Sequence, residues 1–403
     1  MTKTFGELLT KYMHRIGMSE QFLGHQIGVT GATINKWKNE LAKPSKKNRH
    51  LILEAAKVLR LTEQETNALL IAASFSGEYP IEELAAAIFT DFIPGLFDRL
   101  ERCFHPVMLL LTQATWGEPP CREALLLHAA KKYGGENVWH IQPPYILEAD
   151  TDMYFADLGK QCGLRNVDDG NSFAHAFEER LEQSNILFLL ISRFEHSEPL
   201  LREKLAKIIR AISDRHANRL HVIFCGGASL ADLKFKQGAM SLLNLAEIQR
   251  WPELGRVEVQ ALAKYRFEEL QLSNDLADEL LNTSGAHPLL LNDCLKIRHD
   301  HPNFALDKYT RLLSKLDYVW QLFTPFRQDS RAKKQIGEWL EQEHLGEMQP
   351  YILNDLKRQL YWKNLLVGKE LGGMGEEIIK KKYLCWRCEA IQMAGREVLG
   401  VST

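Results

Sequence analysis

Apolar residues recur at helical spacing from the start of the chain. Phe5, Leu8, Leu9, Tyr12 and Ile16 mark a first helix. Ser19 is placed to cap a second, which carries Phe22, Leu23 and Ile27 and stops at Gly28. Thr30 opens a third with Ile34 and Trp37 turned inward, and HLILEAAKVLRL and EQETNALLIAA complete five short helices. After a helical connector the period changes. PVMLLL, NVWHI, NILFLLI, LHVIFCG and RVEVQAL read as five strands, most of them separated by helical segments such as CREALLLHAAKKY, SFAHAFEERLEQ and PLLREKLAKIIRAIS. Alternation of strand and helix predicts a parallel sheet covered on both faces. Residues 319–403 open with helices in YVWQLF, AKKQIGEWLEQ and PYILNDLKRQLYWKNLLV, and a hairpin-like EEIIKKKYLCWRCEAIQMAGREVL closes them.

A chain of 403 residues is too long for one core, so about two to four domains are expected. No apolar run approaches the roughly 18–20 residues that span a bilayer. The opening MTKTFGELLTKYM lacks the apolar stretch of a secretion signal. Seven cysteines, odd in number and scattered, read as reduced thiols. These features predict a cytoplasmic protein without membrane contact. The net charge of −2 conceals an asymmetry: residues 1–60 hold eleven Lys and Arg against four Asp and Glu, the remainder 39 against 48. A basic head on an acidic body points to a polyanionic partner for the head alone.

The segment SEQFLGHQIGVTGATINKWKNELAKPS, with Gln21 at a helix start, the Gly28-Val29 turn, Thr30, the Ile34/Trp37 pair and Pro44, resembles the Cro/repressor (XRE) helix-turn-helix family over about residues 5–73. The resemblance implies binding to double-stranded DNA, with the third helix in the major groove. Gly31, Ala32, Thr33 and Lys36 would face base edges. Gln21, Asn35 and Lys38 would sit on phosphate, helped by Lys43, Lys46, Lys47 and Arg49. The family usually has alanine at the position of Gly24, and Trp-Glu-x-Gly where this chain has Trp-Lys-Asn-Glu. Gly31 and Ala32 offer no side-chain hydrogen bonds, so base readout is expected to be sparse and to fall on Thr33 or Lys36. The alternative is a protein-interaction module with a solvated basic face.

Residues 100–318 resemble the AAA+/STAND branch of P-loop ATPases: a strand into a loop and helix (MLLLTQATWGEPPCREALLL), a very apolar third strand, and a later TSGAHPLLL like that branch's Gly-x-x-Pro lid signature at Gly285 and Pro288. The chemistry is missing. A phosphate cradle needs a lysine and a hydroxyl after its glycine, and here Glu118-Pro119-Pro120 follows Gly117. The third strand should end in two acids for Mg²⁺ and water, and it ends in Ser192 and Arg193. Each lost charge-assisted hydrogen bond is worth about 1.5–3 kcal/mol, so hydrolysis is not expected and no cofactor is assigned. A vestigial nucleotide site with weak binding would comprise Thr112, Gly117, Ser192, Arg193, Gly285 and Pro288.

The closing helices and hairpin resemble the winged-helix domains that trail such lids, with Lys380, Lys381 and Lys382 on or near the wing, either touching DNA or only packing. Cys385-x-x-Cys388 lacks the second pair of a zinc ribbon and reads as structural thiols. His299-Asp300-His301 and Glu195-His196-Ser197-Glu198 read as solvated loops, and no metal site is expected. The expected architecture is multidomain α/β: an all-α helix-turn-helix head (1–75), a helical connector (76–100), a degenerate P-loop-like parallel α/β core (101–262), a helical lid (263–318) and a winged helix (319–403). The expected role is a DNA-binding regulator, transcriptional control first, with the core as an assembly or sensing platform. Self-association and a protein partner are both expected. The alternatives are an AAA+ ATP-dependent helper of DNA transposition or of a mobile element, and a STAND-like defence or signalling scaffold.

Overall fold

A computed structural model describes residues 4–401 except 43, 45–47, 60, 62, 74, 76–80, 114–117, 145–149, 217, 238–240, 268–269 and 371–380. The chain forms two compact units, Met1–Ala85 and Ala86–Thr403.

The first unit contains α1 (Phe5–Arg15), α2 (Glu20–Gln26), α3 (Gly31–Lys38), α4 (Arg49–Val58) and α5 (Glu63–Ala72). Their starts follow from side-chain caps: Thr4 and Glu7 form a capping box, Ser19 accepts from the Phe22 N–H, and Thr30 accepts from the Thr33 N–H. One cluster of Phe5, Leu9, Tyr12, Leu23, Ile34, Trp37, Ile52, Leu59 and Leu69 forms the core. The Phe5 and Trp37 rings meet edge-on at 6.2 Å. Gly24 explains its own departure from alanine. A Cβ there would lie 2.8 Å from the Val29 carbonyl oxygen and 3.0 Å from the Gly31 nitrogen, so α2 rests directly on the backbone that starts α3.

α6 (Ile81–Ala87) leads into the second unit. There α7 (Phe92–Arg102), β1 (Val107–Leu111), α8 (Glu118–Tyr133), β2 (Val138–Ile141), α9 (Thr151–Gln161), α10 (Gly170–Glu182), β3 (Leu187–Ser192), α11 (Pro199–Arg215), β4 (Leu220–Gly226), α12 (Ala228–Asp232), α13 (Ser241–Leu245) and β5 (Glu247–Arg250) build the core. The five strands form one parallel sheet in the order β2-β3-β4-β1-β5. Burial of β1 on both faces explains its unbroken VMLLL. Val107, Leu109, Leu189 and Phe224 pack with Tyr154, Phe173 and Phe177 of α9 and α10 in one cluster. Elsewhere Phe188 meets Phe97 of α7 at 5.1 Å between ring centroids. Because β1 lies between β4 and β5, the chain leaves it toward β2 on one side and returns to β5 on the other. That reversal places a crevice beyond the carboxyl ends of β1, β3 and β4.

Helices α14 (Arg256–Arg266), α15 (Asn274–Ser284), α16 (Pro288–Asp300) and α17 (Leu306–Leu313) follow. The chain ends with α18 (Asp317–Phe323), α19 (Ser330–Leu340), α20 (Asp355–Trp362), an antiparallel pair β6 (Leu366–Glu370) and β7 (Lys382–Trp386), and α21 (Glu389–Leu399).

Three sequence expectations are corrected. RVEVQAL is helical, not a strand: Glu258 folds back onto the Gly255 N–H as a cap, and Val259 and Ala263 form the buried stripe of α14. The fifth strand is instead the polar EIQR, which only pairs along β1 and buries little. PYILNDLKRQLYWKNLLV is helical only over α20, and its last residues enter β6. The chain closes on a helix rather than a hairpin, with Cys388 as the residue before α21 instead of on a strand.

Because backbone cannot yield as a side chain can, Gly24→Ala is expected to lower the stability of the first unit by about 1–3 kcal/mol. Denaturant unfolding of the full chain tests this; an unchanged first transition would contradict the close approach.

Candidate functional site

The crevice holds a cavity of about 490 Å³. Its walls come from the strand ends and the turns that leave them: Thr112 and Gln113 after β1, Ser192 at the end of β3, Arg193, Glu195 and His196 in the next turn, and Cys225 to Ser229 at the end of β4 and the start of α12. Cys121, Arg122 and Leu125 of α8, Trp251 after β5 and Trp362 of α20 complete the described lining. Parallel pairing brings these ends level, with Ser192 beside Cys225 and Leu111 beside Gly226. Thr112, Ser192 and Arg193 of the expected nucleotide site therefore come together. Gly285 and Pro288 do not line the cavity, and Gly117 lies outside the described residues.

Ser192 Oγ and His140 Nε2 are 2.8 Å apart. Burial, and then the Arg122 charge, push the His140 imidazole down to about 4, so it is neutral at pH 7. A serine nucleophile needs an imidazole that can accept its proton and be supported as imidazolium. Both effects here oppose that, so the pair is a fixed polar contact rather than a nucleophile and its base. The Cys121 thiol is pushed up by burial, then by Cys225 and Glu258, which disfavours the reactive thiolate. The end of β3 offers a hydroxyl and a guanidinium where phosphoryl transfer requires acids. Pro119 and Pro120 in the first turn of α8 bring no amide N–H to a phosphate.

Arg202 of α11 fixes the turn after β3, donating from Nη1 to the Glu195 carbonyl at 3.1 Å. The Gly227 N–H reaches Glu195 Oε1 at 3.5 Å. Glu195 and His196, expected as a solvated loop, thus lie on the cavity wall. His299 pairs with Asp300 at 2.9 Å on the surface, and among the described residues no three His, Cys, Asp or Glu side chains gather as metal ligands.

Bonded to Gln113 of the lining is a residue that sequence reasoning missed. Arg387, after β7, has a fully buried side chain. Its five N–H groups make five bonds: Nε to Asn364 Oδ1 (2.5 Å), Nη1 to Glu253 Oε2 (2.6 Å) and to the Gly285 carbonyl (2.9 Å), and Nη2 to Gln113 Oε1 (2.5 Å) and Glu253 Oε1 (3.1 Å). Gly285 has φ +60, and a Cβ there would collide with the Arg387 backbone, so this glycine serves both the turn and the approach. Pro288 is the first residue of α16, capped by His287, whose imidazole burial and then the Arg387 charge push down to about 3. The signal that could have revealed Arg387 was one charge inside the otherwise apolar YLCWRC.

On the first unit, α3 exposes Ala32, Asn35 and Lys36 and half-buries Gly31, Thr33 and Lys38; Gln21 is exposed on α2. Glu20 holds two of the expected phosphate ligands, Lys38 Nζ at 2.7 Å and Asn35 Nδ2 at 3.1 Å. The Thr33 hydroxyl is 2.9 Å from that of Thr30. Arg49 opens α4, and Lys43, Lys46 and Lys47 lie outside the described residues. In the second unit Lys382 is exposed and Lys381 is 3.9 Å from Glu347, while Lys380 lies outside the described residues.

No protein-family model and no curated protein matches the sequence. Among solved structures the chain is similar to the Walker-type ATPase of Pyrococcus abyssi, at 12% identity and TM-score 0.47 over 76% of this chain and 95% of that one. It is also similar to Cdc6p from Pyrobaculum aerophilum (11%, 0.37, over 79% and 97%) and to a RuvB variant from Thermotoga maritima (11%, 0.37, over 72% and 93%). At such identities and TM-scores none of them lends its activity to this chain. The mixed α/β unit with its five-stranded parallel sheet is itself consistent with a P-loop ATPase fold.

Removing one partner of a buried ion pair strands the other. Glu253→Ala is expected to destabilise the second unit by about 3 kcal/mol, near the low end of the range for such pairs because Glu253 is partly exposed. Combining it with Arg387→Met should recover much of that loss. Denaturation of the full chain measures both, and a double variant no better than the single would contradict the account.

Proposed function

We propose that the protein is a cytoplasmic DNA-binding regulator, of transcription first, whose XRE-like head reads double-stranded DNA. Its P-loop-like core serves as an assembly or sensing platform without hydrolysing ATP. The observation that carries the DNA reading is the first unit's α2-turn-α3: Ile34 and Trp37 anchor α3 inward while Asn35 and Lys36 face solvent on a basic unit. With the Thr33 hydroxyl beside Thr30, Lys36 is the side chain best placed to read a base edge. Self-association through the rest of the chain would pair two such heads on a two-part site. A protein partner for the core, and DNA contact through Lys380, Lys381 and Lys382, belong to the same proposal.

The core's part rests on Ser192 and Arg193 at the end of β3, since phosphoryl transfer depends on positioned charge and metal. An ATP-dependent helper of DNA transposition would fit the same parallel sheet, but requires turnover that these residues do not support. A STAND-like scaffold would keep the core and replace DNA by a protein or RNA partner.

Glu20 restrains the DNA face, and its removal gives a directional test. Glu20→Gln weakens the hold on Lys38 and Asn35 and should tighten DNA binding by the full chain. The salt dependence should steepen by about 0.9 for one added phosphate contact. Lys36→Ala should weaken binding and relax sequence preference, at about 1–3 kcal/mol for a lost reading contact. Fluorescence anisotropy over a salt series measures both, and unchanged affinity in both variants would sink the assignment of this face.

A further inference from the structure

We infer that the cavity beyond the sheet takes a small organic anion, a carboxylate or phosphate monoester carrying a flat apolar group, gripped by Arg122 and Arg193 without a metal ion. The inference rests on the core being a sensing platform rather than an ATPase.

Two arginines carry it. The side chain of Arg122 is 14% exposed, its ion partner is Glu123 at a distant 3.5 Å, and its Nε is buried with no hydrogen-bond partner among the described residues. A buried donor left unmade is costly, and an anion in the cavity would satisfy it. Arg193 has φ +58, the left-handed region that an arginine rarely adopts and that clusters at binding sites. The turn of Phe194–His196 comes immediately after it, pinned by Arg202, so this conformation sets Arg193 at the cavity wall.

The guanidiniums, and the lack of a metal-holding acid at the end of β3, set the ligand class. The described lining carries two guanidiniums, Arg122 and Arg193, and one carboxylate, Glu195, with Glu123 beside Arg122 just outside it. That suits an anion of one or two charges and not a free nucleoside triphosphate. No acid stands at the end of β3 to hold Mg²⁺ for one. Guanidiniums bind carboxylate and phosphate in bidentate fashion without a metal. Ser192 on the lining, held by His140 behind it, adds polarity without charge. The apolar part of the ligand is set by Trp251 and Trp362. Trp251 is braced edge-on by Phe89 and Phe92, and its buried indole N–H lacks a partner among the described residues. The volume of about 490 Å³ lies inside the range of small-molecule sites, about 300–1,000 Å³.

The test titrates the full chain in EDTA with phenyl phosphate, benzoate, inorganic phosphate, and separately with ATP and Mg²⁺, reading tryptophan fluorescence and the thermal transition. Saturable binding of phenyl phosphate or benzoate is expected, tighter than inorganic phosphate. The better of the two aromatic probes tells ester from carboxylate. Arg122→Gln and Arg193→Gly should each weaken it at least about tenfold. Arg193→Gly suits the left-handed backbone, so it keeps the test alive if Arg122→Gln fails to fold. No binding of either aromatic probe, or binding undiminished in a folded variant, overturns the inference and leaves the non-hydrolysing reading standing. ATP with Mg²⁺ binding more tightly than both aromatic probes overturns it too, and hydrolysis of that ATP overturns the platform reading as well.

Discussion

A guanidinium without solvent contact is tolerable only if all of its protons are taken and its charge is met. Arg387 satisfies both conditions, through four residues drawn from four parts of the second unit. Gln113 belongs to the loop after β1, Glu253 to the stretch after β5, Gly285 to the turn between α15 and α16, and Asn364 to the approach to β6. The sheet, the helices behind it and the C-terminal elements are thereby constrained to one arrangement. A buried ion pair is weak evidence for stability, since desolvation offsets much of its attraction. What it imposes is geometry: each partner must arrive where the fork of the guanidinium points.

The same constraint reaches the cavity. Gln113 lines it and also accepts from Arg387, and its amide donates to the Tyr361 and Leu366 carbonyls at 2.6 and 2.9 Å. Tyr361 neighbours Trp362, another wall residue. One wall of the site is therefore built by the C-terminal elements, held to the loop after β1 by the Gln113 amide. In a working phosphate cradle the loop after β1 is organised around lysine, hydroxyl and metal. Here its first residues are organised by protein side chains.

The regular parts of this fold were legible in sequence because burial forces a period. Helices α1 to α5 announced themselves through Phe5, Leu9, Leu23 and Trp37, and their starts through Ser19 and Thr30. The unbroken runs of β1, β3 and β4 could only lie inside a covered parallel sheet. The fifth strand was missed because Glu247-Ile248-Gln249-Arg250 sits at the sheet edge, where backbone pairing and not side-chain burial makes the strand. RVEVQAL misled because Val257 and Val259 alternate like a strand, yet Val257 is exposed and a Glu258 cap starts a helix. Of the residues expected at a nucleotide site, Thr112, Ser192 and Arg193 share the cavity because each lies at or just after a strand end. His140, Glu253 and Arg387 were not legible, because their meaning comes from partners dozens to hundreds of residues away, and Arg122 was not, because its burial beside the cavity has no mark in the sequence.

The central claim is that this core couples nothing to ATP hydrolysis while the head binds DNA. The most direct measurement is ADP release by the purified full chain with Mg²⁺, ATP and duplex DNA, made alongside its DNA affinity with and without ATP. The account predicts no ADP above a protein-free control and a DNA affinity indifferent to ATP. Turnover that follows the protein through purification and is lost in Arg193→Gly would contradict it.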